Sequence, residues 1–138
     1  MLRSIILVVL VFTISAAVPP AEVKMLCEFF FETNSPSLPW LNTDGWSTCL
    51  KNGTATSDPC DGDGWYNNFE PMCDSGKKHI IHVNQLDNQL SGVIPTSFCS
   101  LIPQLSKGCE LGENTFDCPL PCNTSSVCSA KCAKLIVA

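Results

Sequence analysis

Ten Cys in a chain of 138 residues, all between positions 27 and 132, constrain the fold more than any other feature. The apolar share is 45%, but a large part of it lies in the first 17 residues, so the remainder is poor in ordinary core formers. A domain of this size normally relies on one hydrophobic core, and here cross-links are expected to share that task. Ten thiols allow about 945 pairings, among which sequence alone does not choose.

The opening segment supplies the compartment in which pairing makes sense. Residues 1–17 carry one Arg at position 3, an apolar run from Ile5 to Ile14, and then Ser15-Ala16-Ala17, the layout of a secretory signal peptide with small residues at −3 and −1. The run is about half the length of a bilayer-spanning helix, so the mature form is expected to have no membrane span. The last residues, Lys134 to Ala138, are too short for a lipid-anchor signal. Secretion makes five disulfides the default. It disfavours reading Cys118, Cys122, Cys128 and Cys132 as zinc ligands. Asn52-Gly53-Thr54 and Asn123-Thr124-Ser125 fit the N-glycan acceptor pattern, whereas Asn34-Ser35-Pro36 is blocked by its Pro.

Charge and residue types narrow the function further. A net charge of −5, with Lys77-Lys78 as the longest basic run in the mature chain, excludes a nucleic-acid partner. The two His, His79 and His82, stand three apart, which places them on opposite faces of a strand, and no serine-hydrolase or zinc-protease motif is present. Asp61-Gly62-Asp63-Gly64 begins like a calcium loop, but Trp65 and Met72 occupy positions where ligands belong, so it reads as a Gly-rich turn. A non-catalytic protein with no cofactor and no metal is expected.

Residues 21–33 place Val23, Leu26, Cys27 and Phe30 at helical spacing, with Glu22 near the positive end of the dipole, and predict a short amphipathic helix. Asn34 to Asp63 is dense in turn formers, with Trp40 and Trp46 expected to pack on that helix. Beyond Cys73 the texture changes. Ile80, Ile81 and Val83 form a strand-like run, followed by Asn88-Gln89-Leu90-Ser91-Gly92-Val93-Ile94-Pro95. Asn114-Thr115-Phe116, with Leu111 before it and Pro119-Leu120-Pro121 after it, restates that run about one solenoid period later. An Asn at a strand exit can satisfy neighbouring backbone, and Ile-Pro imposes an extended return.

These residues resemble the plant-type leucine-rich-repeat proteins, a secreted class also found in protists. Asn88-x-Leu90-Ser91-Gly92-x-Ile94-Pro95 matches the repeat core of that class. Phe31 to Asn34, Trp40, Gly45-Trp46, Asp58-Pro59-Cys60, Trp65-Tyr66 and Cys73-Asp74 are similar to its N-terminal capping region. The pattern calls for a buried Leu at position 85; Gln85 stands there and Leu86 follows, so either the strand is shifted or the Gln faces a polar cap. In the second copy, a Cys replaces an expected Leu at Cys109.

The resemblance implies an α/β fold: a short leucine-rich-repeat solenoid with an N-terminal helical cap, stapled by disulfides. Its divisions are a signal peptide at 1–17, a capping region at 18–78, two repeats at 79–121 and a Cys-rich tail at 122–138. It implies a Cys60–Cys73 bridge in the cap, with Cys118, Cys122, Cys128 and Cys132 closing the C-terminal end, helped by Cys99 and Cys109. Two repeats are fewer than the three or so a solenoid ordinarily needs, which makes those staples essential. Outward strand positions carry recognition in this class; here they are His82, Asn84 and Leu86 beside Gly108, Glu110 and Gly112. The implied function is a secreted recognition module for an extracellular protein or cell-wall glycan. The alternative is a Cys-rich inhibitor of an extracellular hydrolase.

Overall fold

The computed structural model describes residues 18–37, 39–41, 43, 45–61, 65, 72–85 and 88–133. The expected signal peptide at 1–17, Leu86, positions 62–64 of the Asp-Gly turn and the tail end at 134–138 lie outside the described residues.

The fold is a small mixed one, in which short helices and short strands are joined by five disulfides. Helix α1, Pro20–Thr33, opens with Pro at its first position and Glu22 in its first turn, as the unpaired N–H groups and the dipole favour. Its last turn is closed by the Thr33 hydroxyl, which donates to the Phe29 carbonyl at 2.6 Å. The buried face is Glu22, Leu26, Cys27, Phe29, Phe30 and Thr33, with Val23 only half-buried. It is therefore centred on Phe29, which the expected stripe of Val23, Leu26, Cys27 and Phe30 omits. The reason is aromatic packing. Phe29 stacks on Phe98 at 4.7 Å and meets Trp40 at 5.9 Å, Trp46 at 6.3 Å and Phe116 at 6.5 Å, so this ring joins the helix to both halves of the chain.

After α1 the chain makes a 3-10 turn, Trp46–Thr48, and a tight hairpin whose base is the antiparallel bridge of Cys49 with Ala55. Cys27–Cys49 ties the hairpin to α1. At the hairpin tip Gly53 has φ +81°, and a Cβ there would lie 2.7 Å from the Lys24 side chain, so only glycine lets the tip seat against the helix. Trp65 is buried against Trp46 at 5.1 Å and its indole N–H donates to the Ser57 hydroxyl at 2.9 Å.

Among the described residues, four short strands follow in two parallel pairs. Strand β1 (His82–Asn84) pairs with β3 (Gly108–Glu110), His82 beside Gly108, Val83 beside Cys109 and Asn84 beside Glu110. Strand β2 (Ser91–Gly92) pairs with β4 (Thr115–Phe116). Between β2 and β3 run 3-10 segments at Thr96–Ser100 and Ile102–Gln104, the first of which carries Phe98 onto α1. Inward residues Ile80, Val83, Leu90, Ile94, Leu111 and Phe116 are all buried, and they share one core with Leu26 and Phe29 of the helix.

A short helix α2, Thr124–Val127, leads the tail back along the outer side of β3 and β4. There the Leu111 N–H donates to Cys128 O at 2.7 Å, the Phe116 N–H to Lys131 O at 3.1 Å and the Ala133 N–H to Phe116 O at 2.7 Å. The disulfides here are Cys99–Cys122, Cys109–Cys128 and Cys118–Cys132. Of the four Cys at 118–132, Cys118 and Cys132 pair with each other, while Cys122 and Cys128 pair with Cys99 and Cys109. Cys128 reaches Cys109 because the backbone bond from the Leu111 N–H brings residue 128 beside β3. Cys60 is bonded to Cys73, and all ten Cys are in disulfides, so none is a zinc thiolate. Such cross-linking fits an oxidising environment. Among the described residues no helix is long and apolar enough to cross a membrane.

Candidate recognition surface

Strand alternation sends Val83 and Cys109 inward and sets His82, Asn84, Gly108 and Glu110 on the opposite face. Exposure along that face is uneven. Glu110 is exposed, Asn84 and Gly108 are half-buried, and His82 is only 6% exposed. His82, one of the expected binding positions, is thus largely covered. The segment before β1 doubles back on it: the Met72 carbonyl accepts from the N–H of Ile81 at 2.8 Å and of His82 at 3.1 Å, and Cys73 bridges to Ile80. The His82 ring lies over Gly108, where a Cβ would meet its Cδ2 at 3.8 Å. Gly112, another expected outward position, is buried, and Leu86 lies outside the described residues. Asn84 and Glu110 are the pair the strands bring together at a reachable surface.

The strand exits below this face are fixed by amides. Asn114 Oδ1 accepts from the backbone N–H of Asn88 at 3.2 Å and of Leu90 at 2.9 Å. Its Nδ2 donates to the carbonyls of Gln85 at 2.6 Å, Leu111 at 3.1 Å and Gly112 at 3.0 Å. Gln85 is fully buried; its Oε1 accepts from Asn88 Nδ2 at 2.6 Å and its N–H donates to Glu110 O at 2.8 Å. The strand is therefore in register, and Gln85 faces a polar cluster, the second of the two arrangements the sequence leaves open. Among the described residues, its buried Nε2 has no partner.

Two further features hold α1 and the turn before β1 in place. Glu22, buried on α1, accepts from the Ile80 N–H through Oε2 at 2.8 Å, and its Oε1 lies 2.8 Å from His79 Nδ1. Asp74 organises the turn before β1. The Lys78 backbone N–H, 2.7 Å from its Oδ1, holds its carboxyl below the usual range, with the His79 N–H and the nearby Lys78 and His79 charges acting in the same direction.

On the outer side of α1 lies a groove of about 500 Å³, with Glu28, Phe31, Glu32 and Asn34 on one wall and Lys51 and Gly53 of the hairpin on the other. A smaller hollow of about 220 Å³ continues it past Gly53 toward Val18. Sequence pattern does not announce this groove, although the run Phe29-Phe30-Phe31 carries a clue. A helix cannot bury three consecutive residues on one face, and Phe31 is the one left out, at 37% exposure.

Asn52 and Asn123, the expected glycan acceptors, are both exposed. Among the described residues there is no group of three or more His, Cys, Asp or Glu placed to hold a metal ion. Compared with family models, with curated proteins and with solved structures, the chain matches none.

Proposed function

We propose that the chain is a secreted, non-catalytic recognition module whose strands form a short leucine-rich-repeat stack, and that it binds an extracellular protein or a cell-wall glycan. The observation that carries this reading is the parallel register of residues 82–84 with 108–110, coupled to Asn114 bonding across both strand exits. Equal spacing of turns with an Asn at each exit is the physical requirement of a stacked repeat, because every turn must satisfy its backbone through its neighbour. The five disulfides support an extracellular setting, where they persist.

The binding face of this reading is Asn84 with Glu110, and two strands supply much less than the roughly 800 Å² per partner of a standard protein interface. Small, repeated ligands such as polysaccharides suit it better than a large protein. The test is direct. Oxidised full-length protein is titrated against a panel of wall polysaccharides and extracellular proteins, beside Glu110→Lys and Asn84→Ala. Loss of about ten-fold in affinity in both variants, with Glu113→Lys unchanged, supports the reading. Equal binding by all four proteins, or no binding across the panel, refutes it.

A further inference from the structure

The hairpin at 49–55 and the groove beside it point to a modification site with a seat for the group it carries. Asn52 stands at the exposed tip of that hairpin, held by the Leu50 N–H to Thr54 O bond at 2.7 Å and the Gly53 N–H to Leu50 O bond at 2.9 Å. Its Oδ1 accepts from the Thr54 hydroxyl at 2.7 Å and from the Thr54 N–H at 3.0 Å. Both bonds fall on the oxygen, so Nδ2, the atom that takes a sugar, is in neither. The residues on either side of Asn52, Lys51 and Gly53, form the hairpin wall of the 500 Å³ groove, and Phe31 lies across from them. That groove joins an exposed aromatic ring to polar Glu28, Glu32 and Asn34, the combination that receives a sugar ring: an apolar face against C–H groups and acceptors for hydroxyls. Its volume lies in the range of small-ligand sites. The hairpin base is fixed to the helix by Cys27–Cys49, so acceptor and groove keep their relation.

We propose that Asn52 is an N-glycan acceptor and that the first sugars of its glycan lie in this groove over Phe31. The inference rests on the reading above that the chain enters a secretory route. In the transfer, Asn52 Nδ2 bonds to C1 of an oligosaccharide carried on a lipid diphosphate. The C1–O bond to the diphosphate breaks, one amide proton is lost, and the lipid diphosphate leaves. Asn123 lines neither the groove nor the adjoining hollow, and it stands at the start of α2 between two disulfide-bonded Cys. A glycan there has no comparable seat.

The full chain is expressed in a secreting eukaryotic host, and each acceptor is followed by peptide mass spectrometry during digestion of the native protein. The probe enzyme is an amidase that releases N-glycans and converts the acceptor Asn to Asp. The expected result is full occupancy at Asn52 and slow native release. In Phe31→Ala that release accelerates by about three- to ten-fold, the size of a lost ring-face contact. Phe31→Trp keeps the protection, and any release at Asn123 is the same in all three proteins. Intact mass and the absence of free thiols confirm that each variant has folded. Secreted, fully oxidised protein with Asn52 unmodified overturns the acceptor assignment, and equal release from all three proteins overturns the seat. Protein retained in the cell with reduced thiols overturns the secretory reading together with the site.

Discussion

Asn114→Ala is the sharpest test of how the strand turns are held. The substitution removes five hydrogen bonds at once, two accepted by Oδ1 and three donated by Nδ2. Asn88 and Leu90, whose N–H groups it serves, are almost wholly buried, so water cannot replace the lost oxygen. An orphaned buried donor costs about 1–3 kcal/mol, and the carbonyls, each with a second lone pair, cost less. The expected loss is about 3–5 kcal/mol, a large part of the stability of a domain this size. At roughly 4 °C per kcal/mol, the melting temperature falls by about 12–20 °C. Asn114→Asp separates hydrogen bonding from shape. It keeps the volume and the Oδ1 acceptor but turns a second oxygen toward three carbonyls, so it is expected to be no better than Ala. Thermal unfolding with disulfides intact keeps the cross-link term constant between variants. Glu113→Ala next door, where a 66%-exposed side chain meets an exposed Lys131, is the control and is expected to change stability by less than about 1 kcal/mol. An Asn114→Ala protein that melts within about 3 °C of wild type, or an Asp variant that matches wild type, refutes this account.

Three further outcomes follow from the same structure. Glu22→Ala is expected to cost about 2–3 kcal/mol, because it strips the acceptor from the buried Ile80 N–H, and to speed hydrogen exchange at Ile80; unchanged exchange there would sink the idea that α1 anchors the start of β1. Asp74, whose carboxyl is held low in the folded chain, contributes stability that is present above its ordinary value and lost as pH falls through the lowered one. The difference in stability between wild type and Asp74→Asn is therefore expected to shrink below about pH 4 in acid titrations, and a constant difference down to pH 2 counts against it. Cys118 and Cys132 are both exposed whereas Cys109 and Cys128 are buried, so mild reductant followed by alkylation is expected to label the first pair before the second. The reverse order contradicts the assigned burial.

The amide cluster at the strand exits is legible in sequence because it depends on residue type at a fixed offset: Asn88 and Asn114 stand out wherever a turn repeats. The inward alternation of Val83, Cys109, Leu111 and Phe116 is legible for the same reason. What covers a face is another matter. Alternation puts His82 opposite Val83, yet His82 is buried, and nothing in the local pattern encodes either that or the return of the Met72 segment, whose carbonyl accepts from the His82 N–H. Phe29 at the centre of the core, beside the Phe30 that the expected stripe names, depends likewise on Phe98, nearly seventy residues away.

Cys60–Cys73 is expected from the family resemblance, whereas the partners of the other Cys depend on which distant segments pack together, and three of those bridges hold the tail to the strands. A strand pair leaves a row of unsatisfied backbone on its last strand, which in longer repeat proteins is met by the next turn or by a terminal cap. Here residues 128–133 supply that layer: Leu111 and Phe116 both donate to the tail, and Ala133 donates back to Phe116. The tail has no repeat motif, and a strand this short would not hold its register through three backbone bonds alone. Cys99–Cys122, Cys109–Cys128 and Cys118–Cys132 interleave along the chain, each joining the segment at 99–118 to the tail at 122–132. Closing loops of this size removes about 3 kcal/mol of unfolded-state entropy apiece in the chain-entropy model. The three bridges fasten the covering layer to the strand edge it covers.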